Sequence, residues 1–246
     1  MSGRKVFRIA GADREAYLQN LVTNDVARLK DGLVWAALLT PQGKYLADFF
    51  LVTDGDTILL DVSERLAKGL VQRLQMYKLR ADVTIGETDI IVARGLGNAP
   101  EGAFPDPRDP ALGWRAYDGR AGEAADWEAL RVAAGVPESG IELLPNHTYP
   151  LEACFERLNG VDFKKGCYVG QEVTARMKHK ARLRKGLKRV QVSGEAPVGT
   201  EVLNGKGQVA GALHSQSGGL GLAYLLLDSV DEGMRAGDEA VRLRDD

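Results

Sequence analysis

Cys167 stands between two glycines, Gly166 and Gly170, and close behind two lysines, Lys164 and Lys165. The thiolate is the reactive form of cysteine, and adjacent positive charge or a helix N-terminus favours it. The residues from Glu172 to Met177 read as a helix, so the spacing puts the thiol at the head of one. Gly166 permits a positive φ or a close backbone approach just before it. Gln171, four residues on, projects beside the thiol if both are helical. The same residues also suit a tight loop–helix junction with Cys167 as a small buried apolar side chain.

Other chemistry is sparse. The chain holds three histidines, His147, His179 and His214, and two cysteines, Cys154 and Cys167, with no CxxC spacing. A protein-only zinc or cluster site takes about three or four ligands, so no metal site is expected. There is no P-loop and no GxGxxG between a strand and a helix. Trp127 offers an indole face for a flat, partly polar ligand, with Asn24, Asp25 and Asp48 as polar partners for its ring edge. Trp127 reads equally as a core anchor at a helix start, and Asp25 as an N-cap. From Lys164 to Arg189 lie ten basic residues and one acid, Glu172, in a chain of net charge −2. Such a strip attracts a polyanion, RNA or an acidic partner, or is simply a solvated loop.

The elements that must position these groups follow from periodicity. Tyr17, Leu18, Leu21 and Val22 share a helical face after Asp13, which can cap the first turn. Strands are expected at 34–40, 45–53 and 57–62, separated by turns at Pro41–Lys44 and Asp54–Asp56. Leu66, Leu70, Leu74 and Tyr77 form one face of a helix from Ser63 to Leu79. Strands return at 82–86 and 90–93. Residues 97–125 read as a connector broken by Asp106-Pro107-Arg108-Asp109-Pro110, around a short strand at 113–117. A helix follows at 126–134. After Gly186, short apolar runs at 187–192, 200–203, 208–214, 221–226 and 240–243 alternate with glycine turns, as in a small antiparallel barrel. The fold class is α+β, divided at 1–95, 96–183 and 184–246.

With 246 residues and 44% hydrophobic content the chain can bury a sizeable core. Two cysteines make no disulfide framework, which points to a reducing compartment. Neither a signal peptide nor a membrane-length apolar run is read, and the expected location is the cytoplasm.

Lys165-Gly166-Cys167-Tyr168-Val169-Gly170-Gln171-Glu172 resembles the KGCYxGQE signature of the YgfZ-type folate-binding proteins, relatives of the glycine-cleavage T-protein. Segments 18–26, 39–49 and 131–137 resemble that family's first helix and T-N-D turn, its first hairpin and its R-x-x-x-G-x-P segment. The resemblance implies two α+β domains and a C-terminal β-barrel around a central channel that holds tetrahydrofolate. It implies a role in assembling or repairing iron–sulfur clusters, including those of tRNA-modifying enzymes, with iron–sulfur proteins or assembly machinery as partners. On it, Lys165 and Cys167 face the channel, Trp127, Asn24, Asp25, Tyr168, Gln171 and Arg176 help to hold the folate, and Cys167 is nucleophile, redox thiol or transient ligand. Two alternatives are an aminomethyltransferase, with Asp48 as its acid, and an RNA-binding module using the strip at 176–189. Against the first, the hairpin offers one acid where the T-protein has two, and that enzyme's tyrosine–threonine–glycine–glutamate segment is not found. Arg4 stands where some relatives have an aromatic, which changes one wall of the pocket.

Overall fold

A computed structural model describes residues 3–179 and 183–244. The N-terminal part runs β1 (Arg4–Ala10), α1 (Arg14–Gln19), β2 (Val34–Leu39), β3 (Tyr45–Asp54), β4 (Thr57–Ser63), α2 (Glu64–Lys78) and β5 (Thr84–Glu87). Its five strands form one antiparallel sheet in the order β2-β3-β4-β1-β5. Both faces are covered. Phe7, Ile9, Phe49, Leu51 and Leu60 point toward α1 and α2, where Leu18, Leu70 and Leu74 meet them. Val6, Trp35, Tyr45, Phe50 and Leu59 point the other way, against Phe155, Val136 and Leu143. The period of two along each strand places Asp48 and Asp61 on this second face, in its interior.

The middle of the chain supplies β6 (Ala93–Gly95), β7 (Phe104–Pro105), β8 (Trp114–Ala116), α3 (Trp127–Ala134) and α4 (Gln171–His179). The three strands pair antiparallel in the order β6-β8-β7. The last part is a closed barrel of β9 (Lys185–Val192), β10 (Thr200–Leu203), β11 (Val209–Ser217), β12 (Leu220–Leu226), β13 (Arg235–Ala236) and β14 (Glu239–Leu243), with its own core around Val190, Leu213, Leu225 and Val241. The fold is α+β with a C-terminal antiparallel barrel. Among the described residues no helix is long and apolar enough to cross a membrane.

Several local expectations change. β1 is an interior strand of its sheet, between β4 and β5, although its Arg4, Lys5 and Arg8 hid the alternating Phe7 and Ile9 from a strand reading. Asp13 does not cap α1; its carboxylate accepts the Asp82 N–H at 2.8 Å and so ties the helix start to the strand beyond α2. The strand expected at 90–93 is instead β6, shifted toward Gly95. The helix after the cysteine begins at Gln171, so Cys167 precedes it by a full turn of loop. Gln171 therefore does not lie beside the thiol on one helical face; its side-chain oxygen accepts the Tyr168 N–H at 3.0 Å and fastens the loop to the helix start.

Candidate functional site

The residues picked out by sequence fall into two separate groups. The first surrounds Cys167. Its loop is held at both ends while the thiol side chain stays exposed. On one side, Lys165 Nζ donates to the carbonyls of Gln19 at 2.7 Å and Val22 at 2.5 Å, at the C-terminal end of α1, where carbonyls lack helical partners. Burial is the main cause lowering the Lys165 ammonium to about pKa 8, offset in part by Asp25 and Asp162. Gln19 returns a bond from its amide nitrogen to the Lys165 carbonyl at 3.3 Å and another to Asp25 at 2.9 Å. Asp25 also accepts the Ala27 N–H, so it caps the short 3-10 helix at Val26–Asp31. On the other side, Gly170 has φ +84°, and a Cβ there would lie 2.5 Å from the Thr40 carbonyl oxygen. Only glycine lets the loop seat this closely on the β2–β3 turn. Tyr168 is buried beneath, its ring 5.2 Å from Lys165 Nζ. Arg176 is exposed on α4. Asn24 is buried and committed to structure: its amide donates to the Trp35 and Asn159 carbonyls at 2.8 and 2.6 Å.

The second group surrounds Asp48 and Trp127, which line one cavity of about 130 Å³. Neither Cys167 nor Lys165 is among its lining residues. Five arginines are: Arg4 from β1, Arg94 from β6, Arg108 from the turn after β7, Arg115 from β8 and Arg131 from α3. Of these, the sequence reading takes only Arg4 as a pocket wall, with Arg131 as the first residue of the R-x-x-x-G-x-P segment. Buried carboxylates stand behind. Asp106 holds Arg108 through two side-chain bonds, at 2.9 and 2.7 Å, and Arg115 at 3.3 Å. Asp61 takes Arg4 at 2.6 Å and Arg115 at 3.3 Å, with the Tyr117 hydroxyl at 3.0 Å. Arg131 pairs with the buried Glu142 at 3.2 Å and donates to Ser215 of the barrel at 2.5 Å. Arg94 sits over Trp127, its guanidinium carbon 4.0 Å from the ring centroid. A sequence clue to this cluster exists in Asp106-Pro107-Arg108, an acid and a base two residues apart at a proline turn.

The cavity is smaller than the usual pocket for a ligand of pterin size. Sites for ligands of that size span roughly 300–1,000 Å³. The Asp48 carboxylate already accepts from Trp35 Nε1 at 2.9 Å, the Tyr45 hydroxyl at 2.7 Å and the Ser139 hydroxyl at 2.6 Å. That leaves little capacity to pair with a heterocycle's N–H groups. Trp127, half-buried, presents the face that would stack to Arg94 instead.

The basic strip is partly spent on internal pairs. Lys178 pairs with Glu156, Lys185 with Glu152 at 3.6 Å, and Arg189 donates to the Ala133 carbonyl at 3.0 Å. Lys180 and Arg182 lie outside the described residues. Among the described residues no group of three or more His, Cys, Asp or Glu is placed to hold a metal ion.

Comparison with known proteins adds a lineage. A family described as "CAF17, C-terminal beta-barrel domain" matches residues 184–246. The mouse protein named "Iron-sulfur cluster assembly factor IBA57, mitochondrial" is 30% identical over 277 residues, covering 94% of this chain and 77% of its own length. The human protein of the same name is 29% identical, with the same coverage. A homologue from Mycosarcoma maydis is 33% identical over 74% of this chain and 54% of its own length. Among solved structures, the glycine cleavage system aminomethyltransferase T from Bartonella henselae superposes with a TM-score of 0.77, covering 100% of this chain and 83% of that one at 14% identity. At that identity the likeness is one of fold.

Proposed function

The chain belongs to the family of the iron–sulfur cluster assembly factor IBA57, and we propose that it acts in iron–sulfur cluster assembly or repair with Cys167 as the residue that meets the cluster. The observation that carries this reading is an exposed thiol on a loop anchored at both ends, by Lys165 on α1 and by Gly170 on the β2–β3 turn. Thiolates are the usual protein ligands of such clusters, commonly four per cluster. Among the described residues Cys167 belongs to no group of three or more potential ligands, which supports reading the cluster as cargo: Cys167 supplies one ligand or one redox thiol, and a partner protein supplies the rest.

The test is Cys167→Ser in cells that depend on this chain. Activities of cluster-dependent enzymes are expected to fall to the level of cells without it, at unchanged protein abundance. Full activity in the variant would overturn the role of the thiol.

The KGCYVGQE segment supports a finer reading, membership in the YgfZ-type branch with tRNA-modifying iron–sulfur enzymes among the clients. Loss of their modified nucleosides from tRNA in the same cells checks it. The proposal places the chain in the cytoplasm, where an exposed thiol stays reduced, whereas the relatives carry "mitochondrial" in their names. Tetrahydrofolate enters as a ligand on the family resemblance, at a site other than the Asp48 cavity. Titration with tetrahydrofolate that gives no heat and no change in tryptophan fluorescence would remove it. Aminomethyl transfer by Asp48 is the weaker reading, because that carboxylate is buried and engaged by three donors.

A further inference from the structure

The end of α2 leaves two large apolar side chains in water. Met76, in the last turn, is 75% exposed, and Leu79, just past the helix, is 89% exposed. Leu79 also holds φ +46°, a region that glycine enters freely at helix ends and leucine rarely does. No packing within the molecule offsets that strain, since the side chain touches little. Arg65, Lys68, Gln72, Met76 and Leu79 follow one another at steps of three, four, four and three residues. That spacing puts them on one stripe, opposite the buried Ala67, Leu70 and Leu74. Arg73 and Arg80 are exposed beside it.

The charge on this face is unbalanced. Residues 64–82 hold five cations, Arg65, Lys68, Arg73, Lys78 and Arg80, against two acids, Glu64 and Asp82, one at each end. Asp82 accepts the Ala12 N–H at 3.2 Å. None of the ion pairs among the described residues takes any of the five cations. Glu64 stands four residues before Lys68, the spacing of a helical pair, and the pair does not form. The helix dipole favours Lys78 and Arg80 near the C-terminus, but it disfavours Arg65 in the first turn. Apolar side chains standing out among unpaired cations match a surface that is anionic outside and apolar within. A protein partner would hold such anchors in pockets that both sides supply. The Asp48 cavity and the clefts along the barrel take no residue from α2. A second copy would set these cations against their own kind.

We propose that the outward face of α2 docks reversibly on an anionic lipid bilayer. Met76 and Leu79 enter the headgroup boundary, and Arg65, Lys68, Arg73 and Arg80 meet lipid phosphates. The helix lies on the bilayer and does not cross it. The surface is separate from the Cys167 loop and does not depend on the thiol.

The experiment is vesicle flotation of the full chain, with phosphatidylcholine alone and with equal parts of phosphatidylcholine and phosphatidylglycerol. The chain is expected to float with the anionic vesicles only, and less so as salt rises. Leu79→Gly should weaken binding by about tenfold, the worth of burying one leucine. Its Tm should hold or rise, because glycine relieves the positive φ. Gly69→Glu sets an acid on the same helix, at a position where an added Cβ meets nothing within 4 Å. It should weaken binding by about fivefold or more, the worth of one charge near the surface. Its Tm should not fall, since glycine is the poorer helix former. Equal flotation with both vesicle types, or wild-type binding in either variant, overturns the proposal. So does a chain that ignores vesicles but binds soluble polyglutamate in a manner lost in Gly69→Glu; the face would then be a dock for an acidic protein. Cys167→Ser should float like the wild type, so failure of this surface and failure of the thiol reading are told apart.

Discussion

Asp106 shows how the cavity is held together one side chain at a time. Burial alone would raise its carboxyl, but Arg108 and Arg115 more than compensate and hold it well below the usual carboxylate range. A carboxylate depressed in the folded state stabilises the fold above its unfolded value, here 3.8, and that contribution is lost as pH falls through the folded value. Asp106→Asn should therefore cost about 3–5 kcal/mol at neutral pH, the range for removing one partner of a buried pair, as read by urea unfolding. The variant should also lose less further stability than the wild type when the pH drops below about 4. An equally steep acid loss in both would show that Asp106 is not the titrating group. Beyond the pairing hinted at by Asp106-Pro107-Arg108, little of this is legible in the sequence. Arg94, Arg108 and Arg115 lie in or beside a stretch that reads as a connector, and their convergence depends on sheet pairing with no local signature.

Among the elements, the legible ones are those that carry their own punctuation. The barrel strands alternate apolar residues between glycine turns, and five of the six fall where the pattern puts them; β13, only two residues long, leaves no pattern. β1 was hidden because its charged residues serve tertiary partners, Arg4 to Asp61, Lys5 to Glu87 and Arg8 to Asp54. The cysteine loop was half legible. Gly166 does adopt a positive φ of 95°, but the reason for Gly170 lies across the molecule, at the Thr40 carbonyl. Gly170→Ala tests that contact. With φ +84° and a clash against backbone, the change is expected to destabilise by more than about 1 kcal/mol. Hydrogen exchange should rise in residues 164–171 while the barrel core keeps its protection, and client enzyme activity should fall with it. Unchanged exchange would mean that the turn does not anchor the loop.

At the scale of the whole molecule, the three parts are joined through buried polar ties. Arg131 of α3 bonds Glu142 and Ser215, and the Ser215 N–H donates to Glu142 at 3.1 Å, so one ion pair connects the cavity wall to the barrel. The overall likeness to an aminomethyltransferase thus coexists with a cavity of different chemistry, since architecture does not dictate what a site binds.

The sheet edges carry a last consequence. The barrel closes on itself. The outer side of β2 is taken by Val22 and Thr23, whose backbone pairs with Leu38 and Ala37. β5 is four residues long and ends in the charged Glu87, and β7 carries Pro105. Along β6, the Arg94 carbonyl accepts the Glu123 N–H at 2.7 Å. Short, charged, proline-bearing or covered edges deny an incoming strand its ladder. The described edges thus offer little to a partner that would add a β-strand.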